Sequence, residues 1–278
     1  MSRLIFLPYD SNEHQCKRSA SIWWDVHRAV FAQAREYERV GGLHLRFYFH
    51  GELNDFLPPA KRKLEFEHVA GATDTIKHVI ESVGVPHTEL GRVTVNGEIR
   101  LLSEQLVQGD LVHVFPHVTP ILLDDPRFVV DGHLGRLAAY LRMLGFDTWY
   151  DRFADDVLLA AVASTERRFL LTRDVGLLKR REVEDGYCVR AHKPHDQLRE
   201  VSQRFALRSQ LAPFCRCMDC NGPLCPVSKE EVADLLPPHT RETKTEFSRC
   251  LNCRKIFWRG SHYARMLGWI QDLTACGK

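Results

Sequence analysis

The sequence lacks any long uninterrupted apolar run, and this absence excludes one class of protein. No stretch of its 278 residues approaches the roughly 18 uncharged apolar residues that a membrane-spanning helix needs. The first segment, MSRLIFLPYDSNEHQCKRSA, holds only a short apolar patch and lacks the small-residue cleavage site of a secretory signal. We therefore expect a cytoplasmic protein that does not enter the membrane.

Glycine-rich phosphate loops and a strong net charge are also missing. Neither GxGxxG nor GxxxxGK[ST] occurs, which counts against a nucleotide-binding Rossmann or P-loop site. The formal net charge is only +2, but it is unevenly distributed. Residues 1–125 hold 13 Lys and Arg against 17 Asp and Glu, whereas residues 126–278 hold 25 against 19. The basic second half is compatible with nucleic acid binding, although exposed charge is usually just solvated surface.

Changes in periodicity divide the chain into segments. An N-terminal extension (1–42) ends at Gly41-Gly42 and carries no motif. Residues 43–117 follow the order β-β-α-β-β, which is typical of a small ubiquitin-like roll, and residues 118–126 form a linker. Residues 127–208 alternate strand and helix, which predicts a parallel sheet covered by helices. Most of the nine cysteines lie in the last segment, residues 213–266.

The ubiquitin-like segment is not expected to act as a sulfur carrier or a protein carrier. Sulfur and protein carriers of this shape end in an exposed Gly-Gly, but here the last strand runs on into VFPHVTPILLDDP. We interpret residues 43–117 as a binding or positioning module that has a protein partner.

Acidic residues follow two predicted strands of the parallel sheet. RFVVD ends in Asp131 and RFLLTRD ends in Asp174, while Asp156 opens a predicted helix. Ligands of open parallel sheets bind beyond the carboxyl ends of the strands, and magnesium or manganese prefers such oxygen ligands. The structural alternative is that Asp131 is a turn residue and that Asp174 and Asp156, or its neighbour Asp155, cap helices.

Basic residues surround these acids in the sequence. Guanidinium and ammonium groups bind phosphates, so four of them are candidates for substrate contact: Arg173, Arg136, Arg142 and Lys179. The alternative is a solvated polar helix face. His133 follows Asp131 closely and either transfers protons or packs locally.

Two CxxC pairs predict a structural zinc site, because cytoplasmic cysteines rarely form disulfides. Two such turns place four thiolates around one tetrahedral ion, here from Cys217, Cys220, Cys250 and Cys253. Cys215 and Cys225 fall outside this spacing. The following stretch, KIFWRGSHYARM, mixes aromatic and basic residues that either stack bases or pack against the rest of the protein.

Longer stretches resemble the Mut-seven C-terminal RNase domain family. They are FVVDGHLGRLAAYLRMLGFDT, DDVLLAAVASTERRFLLTRDVGLL, the paired CxxC motifs and FWRGSHYARM, in the family's order and spacing over about residues 126–266. ELNDFLP, ESVGVPHTELGRVTVNGE and GDLVHVFP resemble the ubiquitin-like domain that often precedes it in bacteria.

The resemblance implies an α/β protein with three parts. A β-grasp domain (43–117) precedes a PIN-like RNase domain (127–208), whose parallel sheet has helices on both faces, and a zinc ribbon follows. The resemblance also implies an RNase activity that depends on a divalent metal. Asp131, Asp156 and Asp174 match the PIN acids, with Asp155 as the fallback for Asp156. PIN sites often use a fourth acid, for which the candidates are Asp147, Asp151, Glu182 and Asp185.

Two functions follow from these patterns. In the first, magnesium or manganese held by the three aspartates activates a water that cleaves RNA phosphodiesters. In the alternative, the protein is a non-catalytic adaptor that binds RNA or tRNA and keeps a vestigial PIN-like site. RNA, including tRNA or another structured RNA, is the expected partner in both cases.

Overall fold

The computed structural model of the chain describes residues 42–275. The expected N-terminal extension therefore lies outside the described residues, apart from Gly42. No helix within the described range is long and apolar enough to cross a membrane.

The first sheet has the β-grasp arrangement. Alternating residues of its first strand, Leu45, Phe47 and Phe49, are buried against a single amphipathic helix. That helix begins after Thr75, whose side chain accepts a hydrogen bond from a backbone amide, and it ends at Gly84 with a φ of 123°. The elements are β1 (Leu43–Phe49), β2 (Phe66–Ala70), α1 (Ile76–Val83), β3 (Leu90–Val95), β4 (Glu98–Arg100) and β5 (Leu111–Pro116). The strand order is β2-β1-β5-β3-β4, with β1 and β5 parallel.

The second sheet is parallel and has helices on both faces, as expected. The elements are β6 (Arg127–Val130), α2 (Gly135–Met143), β7 (Asp147–Tyr150), α3 (Asp156–Thr165), β8 (Phe169–Thr172), α4 (Val175–Leu178), β9 (Gly186–Cys188) and α5 (Pro194–Arg204). The strand order is β7-β6-β8-β9. Phe128 and Val130 face one core with α2 and α5, whereas Val129 faces the other with α3 and α4.

The third sheet is small and antiparallel, and its three strands lie side by side in chain order. The long spacer between the two CxxC pairs forms short helices, the first of which starts with a capping box of Ser228 and Glu231. The last helix returns to the second sheet, where Ile270 and Leu273 join its core. The elements are β10 (Leu224–Val227), α6 (Lys229–Val232), α7 (Pro238–Thr243), β11 (Phe247–Cys250), β12 (Ile256–Trp258) and α8 (Ser261–Ala275).

A buried carboxylate joins the β-grasp domain to the edge strand β9. Glu89 is 0% exposed and accepts a hydrogen bond of 2.7 Å from the Cys188 amide. Its other oxygen lies 3.3 Å from Arg190 and 3.9 Å from Arg204. Burial raises the pKa of Glu89, although both arginines act in the opposite direction. The β-grasp domain therefore covers the edge of the parallel sheet and supplies the counter-charge for two arginines.

Glu89→Ala is expected to lower the free energy of unfolding by roughly 3 kcal/mol, because it removes the fully buried carboxylate beside Arg190 and Arg204. These arginines then keep only the more exposed carboxylates of Asp55 and Glu52. Urea denaturation followed by circular dichroism measures the change. The control is Glu65→Ala, which removes an exposed pair with Arg46 in the same domain and should cost about 1 kcal/mol or less. Equal losses in the two variants would show that Glu89 does not anchor the domains.

Candidate active site and metal centre

Asp131 and Asp174 lie at the carboxyl edge of the parallel sheet, where one hydroxyl joins them. Asp131 directly follows β6, and Asp174 follows the neighbouring strand β8. The Thr172 hydroxyl donates a 2.6 Å hydrogen bond to Oδ2 of Asp131 and accepts one of 2.9 Å from the Asp174 amide. The side chain of a strand residue thus fixes the two acidic turns relative to each other.

Each of these aspartates also has a local structural role. Oδ1 of Asp131 accepts a hydrogen bond from the His133 amide, and Oδ1 of Asp174 accepts from the amides of Gly176 and Leu177. Within the described part of the chain, Oδ2 of Asp174 has no hydrogen bond. For Asp174 the capping role and a ligand role are therefore compatible, because the cap occupies Oδ1 and leaves Oδ2. Each oxygen of Asp131 accepts one hydrogen bond and keeps a second lone pair for a ligand role.

The third predicted acid, Asp156, does not share the hydrogen bonds that join Asp131 and Asp174. Asp155 caps α3 by accepting a 2.8 Å hydrogen bond from the Leu158 amide, so the exposed carboxylate of Asp156 is not needed for the cap. Among residues 42–275, the cysteines are the one set of three or more ligand groups whose atoms all lie within 4.8 Å of one another. The three aspartates do not converge to that degree.

A cavity of about 410 Å³ opens beside Asp131. The Tyr150 hydroxyl closes one side by donating a 3.0 Å hydrogen bond to the carbonyl of Gly132. The exposed side chain of His133 lines the cavity and is not packed in a core. Three residues near this cavity were not predicted from the sequence: Tyr150, Arg152 and the bridging Thr172. The signal for Tyr150 and Arg152 was their position at the carboxyl end of β7.

The topology separates the four candidates for a further acid. Asp151 directly follows β7 and comes after Tyr150, which pairs with Val130, so it lies next to Asp131 at the carboxyl edge. Two candidates belong to the opposite edge, because Asp147 opens β7 and Asp185 precedes β9. Glu182 lies in the loop that leads to β9 and pairs with Arg180. Only Asp151 of these four shares the edge of the aspartate pair.

Two of the four predicted substrate contacts are suitably placed. Arg173 is exposed and stands between Thr172 and Asp174, and Arg136 is exposed on the first turn of α2. Both guanidinium groups are therefore available at the acidic edge.

The other two predicted contacts need correction. Arg142 is 4% exposed and donates hydrogen bonds to the carbonyls of Thr148, Met218 and Asp219. Lys179 donates a 2.8 Å hydrogen bond to the carbonyl of Glu81 in the β-grasp domain, and burial lowers its pKa. Both side chains are used in contacts between domains, which is why neither is available for substrate.

Thr172→Val is expected to slow any metal-dependent cleavage by about 10- to 100-fold, because it removes the hydroxyl that orients Asp131 while keeping the shape of the side chain. Thr172→Ser keeps the hydroxyl and should restore most of the rate. The measurement is the cleavage rate as a function of manganese concentration, because a misplaced Asp131 carboxylate would also raise the manganese concentration that half-maximal cleavage requires. Full activity in the valine variant would contradict a positioning role.

The four predicted cysteines come together in one group that could hold a metal ion. Sγ of Cys217 lies 3.7 Å from that of Cys253, and Sγ of Cys220 lies 3.4 Å from that of Cys250. Thiolates around one tetrahedral zinc ion are separated by about 3.8 Å, given bonds of about 2.3 Å. The group therefore fits structural zinc.

Ionisation differs among these thiols. Burial raises the pKa of Cys217 to about 12. Burial acts in the same direction on Cys220, but hydrogen bonds from the Gly222 amide and neighbouring thiols outweigh it and lower that pKa to about 7. Zinc binds the deprotonated form, so its uptake would release protons from this group.

The cysteine module is attached at the amino edge of the parallel sheet, away from Asp131 and Asp174. Asp147 opens β7 and accepts hydrogen bonds of 2.9 Å from Asn221 and 2.7 Å from Arg168. Burial opposes ionisation of Asp147, but these two hydrogen bonds prevail and lower its pKa. The four-cysteine group therefore belongs to a module at one end of the strands, and the acidic edge lies at the other end.

The aromatic residues after the second CxxC pair line an open cavity of about 540 Å³. Trp258 is 37% exposed at this cavity, and the rings of Phe214 and Tyr263 pack at a tilt of 36° with centroids 4.7 Å apart. Arg259 lies over Tyr263 and pairs with Glu246. These side chains thus pack partly on one another and stay partly accessible.

Comparisons with known proteins agree with this architecture. The chain matches the Mut7-C RNAse domain over residues 126–270 and the Mut7-C ubiquitin domain over residues 43–122. No curated protein matches the chain.

Three crystal structures share a limited likeness. Small archaeal modifier protein 1 of H. volcanii is 18% identical over 28% of this chain and 100% of its own, with a TM-score of 0.23. A second structure, of SAMP1 from Haloferax volcanii, is 16% identical over 27% of this chain and 97% of its own, with a TM-score of 0.20. L-proline dehydrogenase from P. horikoshii is 12% identical over 48% of this chain and 25% of its own, with a TM-score of 0.16.

The two domain matches and the observed sheets together show the family of this chain. The RNAse match covers more than half of the chain and includes the acidic edge and all four zinc-site cysteines. The ubiquitin match covers the five-stranded β-grasp sheet. The chain belongs to the Mut7-C RNAse domain family and carries a Mut7-C ubiquitin domain before the RNAse domain.

Proposed function

We propose that this protein is a ribonuclease that hydrolyses RNA phosphodiesters with magnesium or manganese held at the carboxyl edge of its parallel sheet. Membership of the RNAse domain family supports a nuclease-like function in general. The observation that carries the specific proposal is the bridge from Asp131 through the Thr172 hydroxyl to Asp174. The hydroxyl orients the carboxylate of Asp131 and holds the backbone of Asp174 beside it, at the edge where parallel sheets bind their ligands.

The donor set suits a hard divalent cation. Asp131 and Asp174 are proposed as its ligands, and Asp156 as a third carboxylate, two residues beyond Ala154 of the Asp131 cavity. Asp151 is a further candidate at the same edge. When bound, magnesium or manganese activates a water and stabilises the charge on the leaving oxygen.

The surrounding side chains are proposed to hold the RNA. The exposed guanidinium groups of Arg173 and Arg136 bind phosphates on either side of the acidic pair. His133, which lines the cavity beside Asp131, is placed to exchange a proton with a reacting oxygen. RNA, including tRNA or another structured RNA, is the proposed substrate.

The ubiquitin-like domain is proposed as a positioning module. Its face around Glu89 is occupied by the edge of the RNase sheet, which fixes its place relative to the acidic edge. A protein partner of this domain would therefore meet a different face.

Cleavage of a panel of small structured RNAs by the full chain, with magnesium, manganese or EDTA, tests the proposal. We expect products with either metal and none with EDTA. Equal cleavage in EDTA would contradict the metal requirement. RNA binding that weakens steeply with salt, without cleavage under any metal, would support the non-catalytic adaptor instead.

A further inference from the structure

An exposed aromatic side chain lies beside the candidate active site, and the proposed reaction does not account for it. Phe153, in the loop between β7 and α3, is 82% exposed. The first turn of α3 extends this apolar surface with Val157, which is 61% exposed, and Leu158. Large apolar groups left in water beside a cleft often mark a binding surface.

The loop that carries Phe153 is held firmly against the Asp131 turn. The side chain of Asp151 accepts a 2.9 Å hydrogen bond from the Phe153 amide, and its carbonyl accepts one from Ala154. The carbonyl oxygen of Arg152 lies 3.0 Å from the point where a Cβ on Gly132 would be. The Phe153 ring is therefore presented by an ordered turn that packs on the residue next to Asp131.

A guanidinium group accompanies the ring. Arg152 lies over Phe153 at 4.9 Å from the ring centroid and also lines the Asp131 cavity. An aromatic face and a cation side by side match the two parts of a nucleotide, since bases stack on rings and guanidinium groups bind phosphates. The flanking carboxylates of Asp151, Asp155 and Asp156 make the patch too charged for an ordinary apolar protein interface.

We propose that Phe153 and Arg152 form a subsite for one unpaired RNA nucleotide next to the bond that is cleaved. The base stacks on the open face of Phe153, and the guanidinium of Arg152 binds the adjoining phosphate at the mouth of the cavity. Bases inside an A-form duplex are not accessible for such stacking, so the subsite selects single-stranded segments, loops and ends. This inference rests on the proposed function, because it names the form of RNA that the acidic edge receives.

The test measures binding by fluorescence anisotropy of the zinc-loaded full chain without added magnesium or manganese, so that it does not depend on cleavage. The probes are a labelled single-stranded oligoadenylate and a blunt RNA duplex of the same length. Phe153→Ala is expected to weaken binding of the single strand by about 5- to 100-fold and to leave duplex binding almost unchanged. Phe153→Tyr should restore the affinity, because it keeps the ring.

The matched control is Ile99→Ala, which removes another exposed apolar side chain, 71% exposed, on the β-grasp domain. The subsite is overturned if Phe153→Ala binds the single strand as wild type does, if it weakens both probes equally, or if Ile99→Ala has the same effect. A chain that needs Phe153 for binding but cleaves no RNA would contradict the proposed function alone. Normal binding by Phe153→Ala in a cleaving enzyme would contradict the subsite alone.

Discussion

Asp131→Asn and Asp174→Asn are each expected to reduce the rate of RNA cleavage by about 1,000-fold, which corresponds to a loss of about 4 kcal/mol of transition-state stabilisation. Asparagine keeps the volume of the side chain and an oxygen that can accept the capping hydrogen bonds, but it removes the negative charge that a divalent cation needs. The measurement is the single-turnover rate in manganese, with circular dichroism to show that each variant is folded.

Two further substitutions provide a control and a test of the third acid. Asp272→Asn changes an exposed acid on α8, remote in sequence from the acidic edge, and should cleave at the wild-type rate. Asp156→Asn should also slow cleavage if its carboxylate takes part in the site. Wild-type rates in both Asp131→Asn and Asp174→Asn would refute the assignment of the site.

Cys250→Ser is expected to abolish stoichiometric zinc binding and to unfold the ribbon. Cys250 is fully buried, and its sulfur lies 3.4 Å from that of Cys220, so a serine hydroxyl leaves the group without one thiolate. Structural zinc contributes on the order of 10 kcal/mol to the folding of small metal modules, which three antiparallel strands alone do not replace. Elemental analysis of the purified chain and limited proteolysis of the ribbon measure both effects.

The matched control is Cys225→Ser, which alters a cysteine of β10 outside the four-sulfur group and should keep one zinc ion per chain. Loss of the ribbon should also affect the RNase domain, because the Arg142 guanidinium then loses its hydrogen bonds to the carbonyls of Met218 and Asp219. Unchanged zinc content in Cys250→Ser would contradict the four-cysteine centre.

The paired aspartates show how far the sequence alone leads. Strand periodicity placed Asp131 and Asp174 after two buried strands, and the rule for parallel sheets placed both at one edge, as the structure does. Thr172 was not foreseen, because its role depends on a hydroxyl that reaches across to the neighbouring strand. Local patterns identify which residues end a strand, but not which side chain joins two strand ends.

Contacts between distant segments account for the two errors among the basic residues. Helical spacing shows Arg142 as one more cation on an amphipathic helix, and the carbonyls that bury it lie more than 70 residues away. Lys179 likewise bonds to a carbonyl 98 residues earlier in the chain. The interface around Glu89 was not predicted for the same reason, because the residues that Glu89 contacts in the RNase domain lie about 100 residues later in the chain.

The most direct test of the central claim is the binding of manganese to the purified chain, because it needs no knowledge of the RNA substrate. Electron paramagnetic resonance of unbound Mn²⁺ would be followed during titration of the zinc-loaded wild type, the double variant Asp131→Asn/Asp174→Asn and Asp272→Asn. We predict a saturable site in the wild type and in Asp272→Asn that is absent from the double variant. Equal manganese binding by all three chains would contradict a metal-dependent site at the carboxyl edge of the sheet.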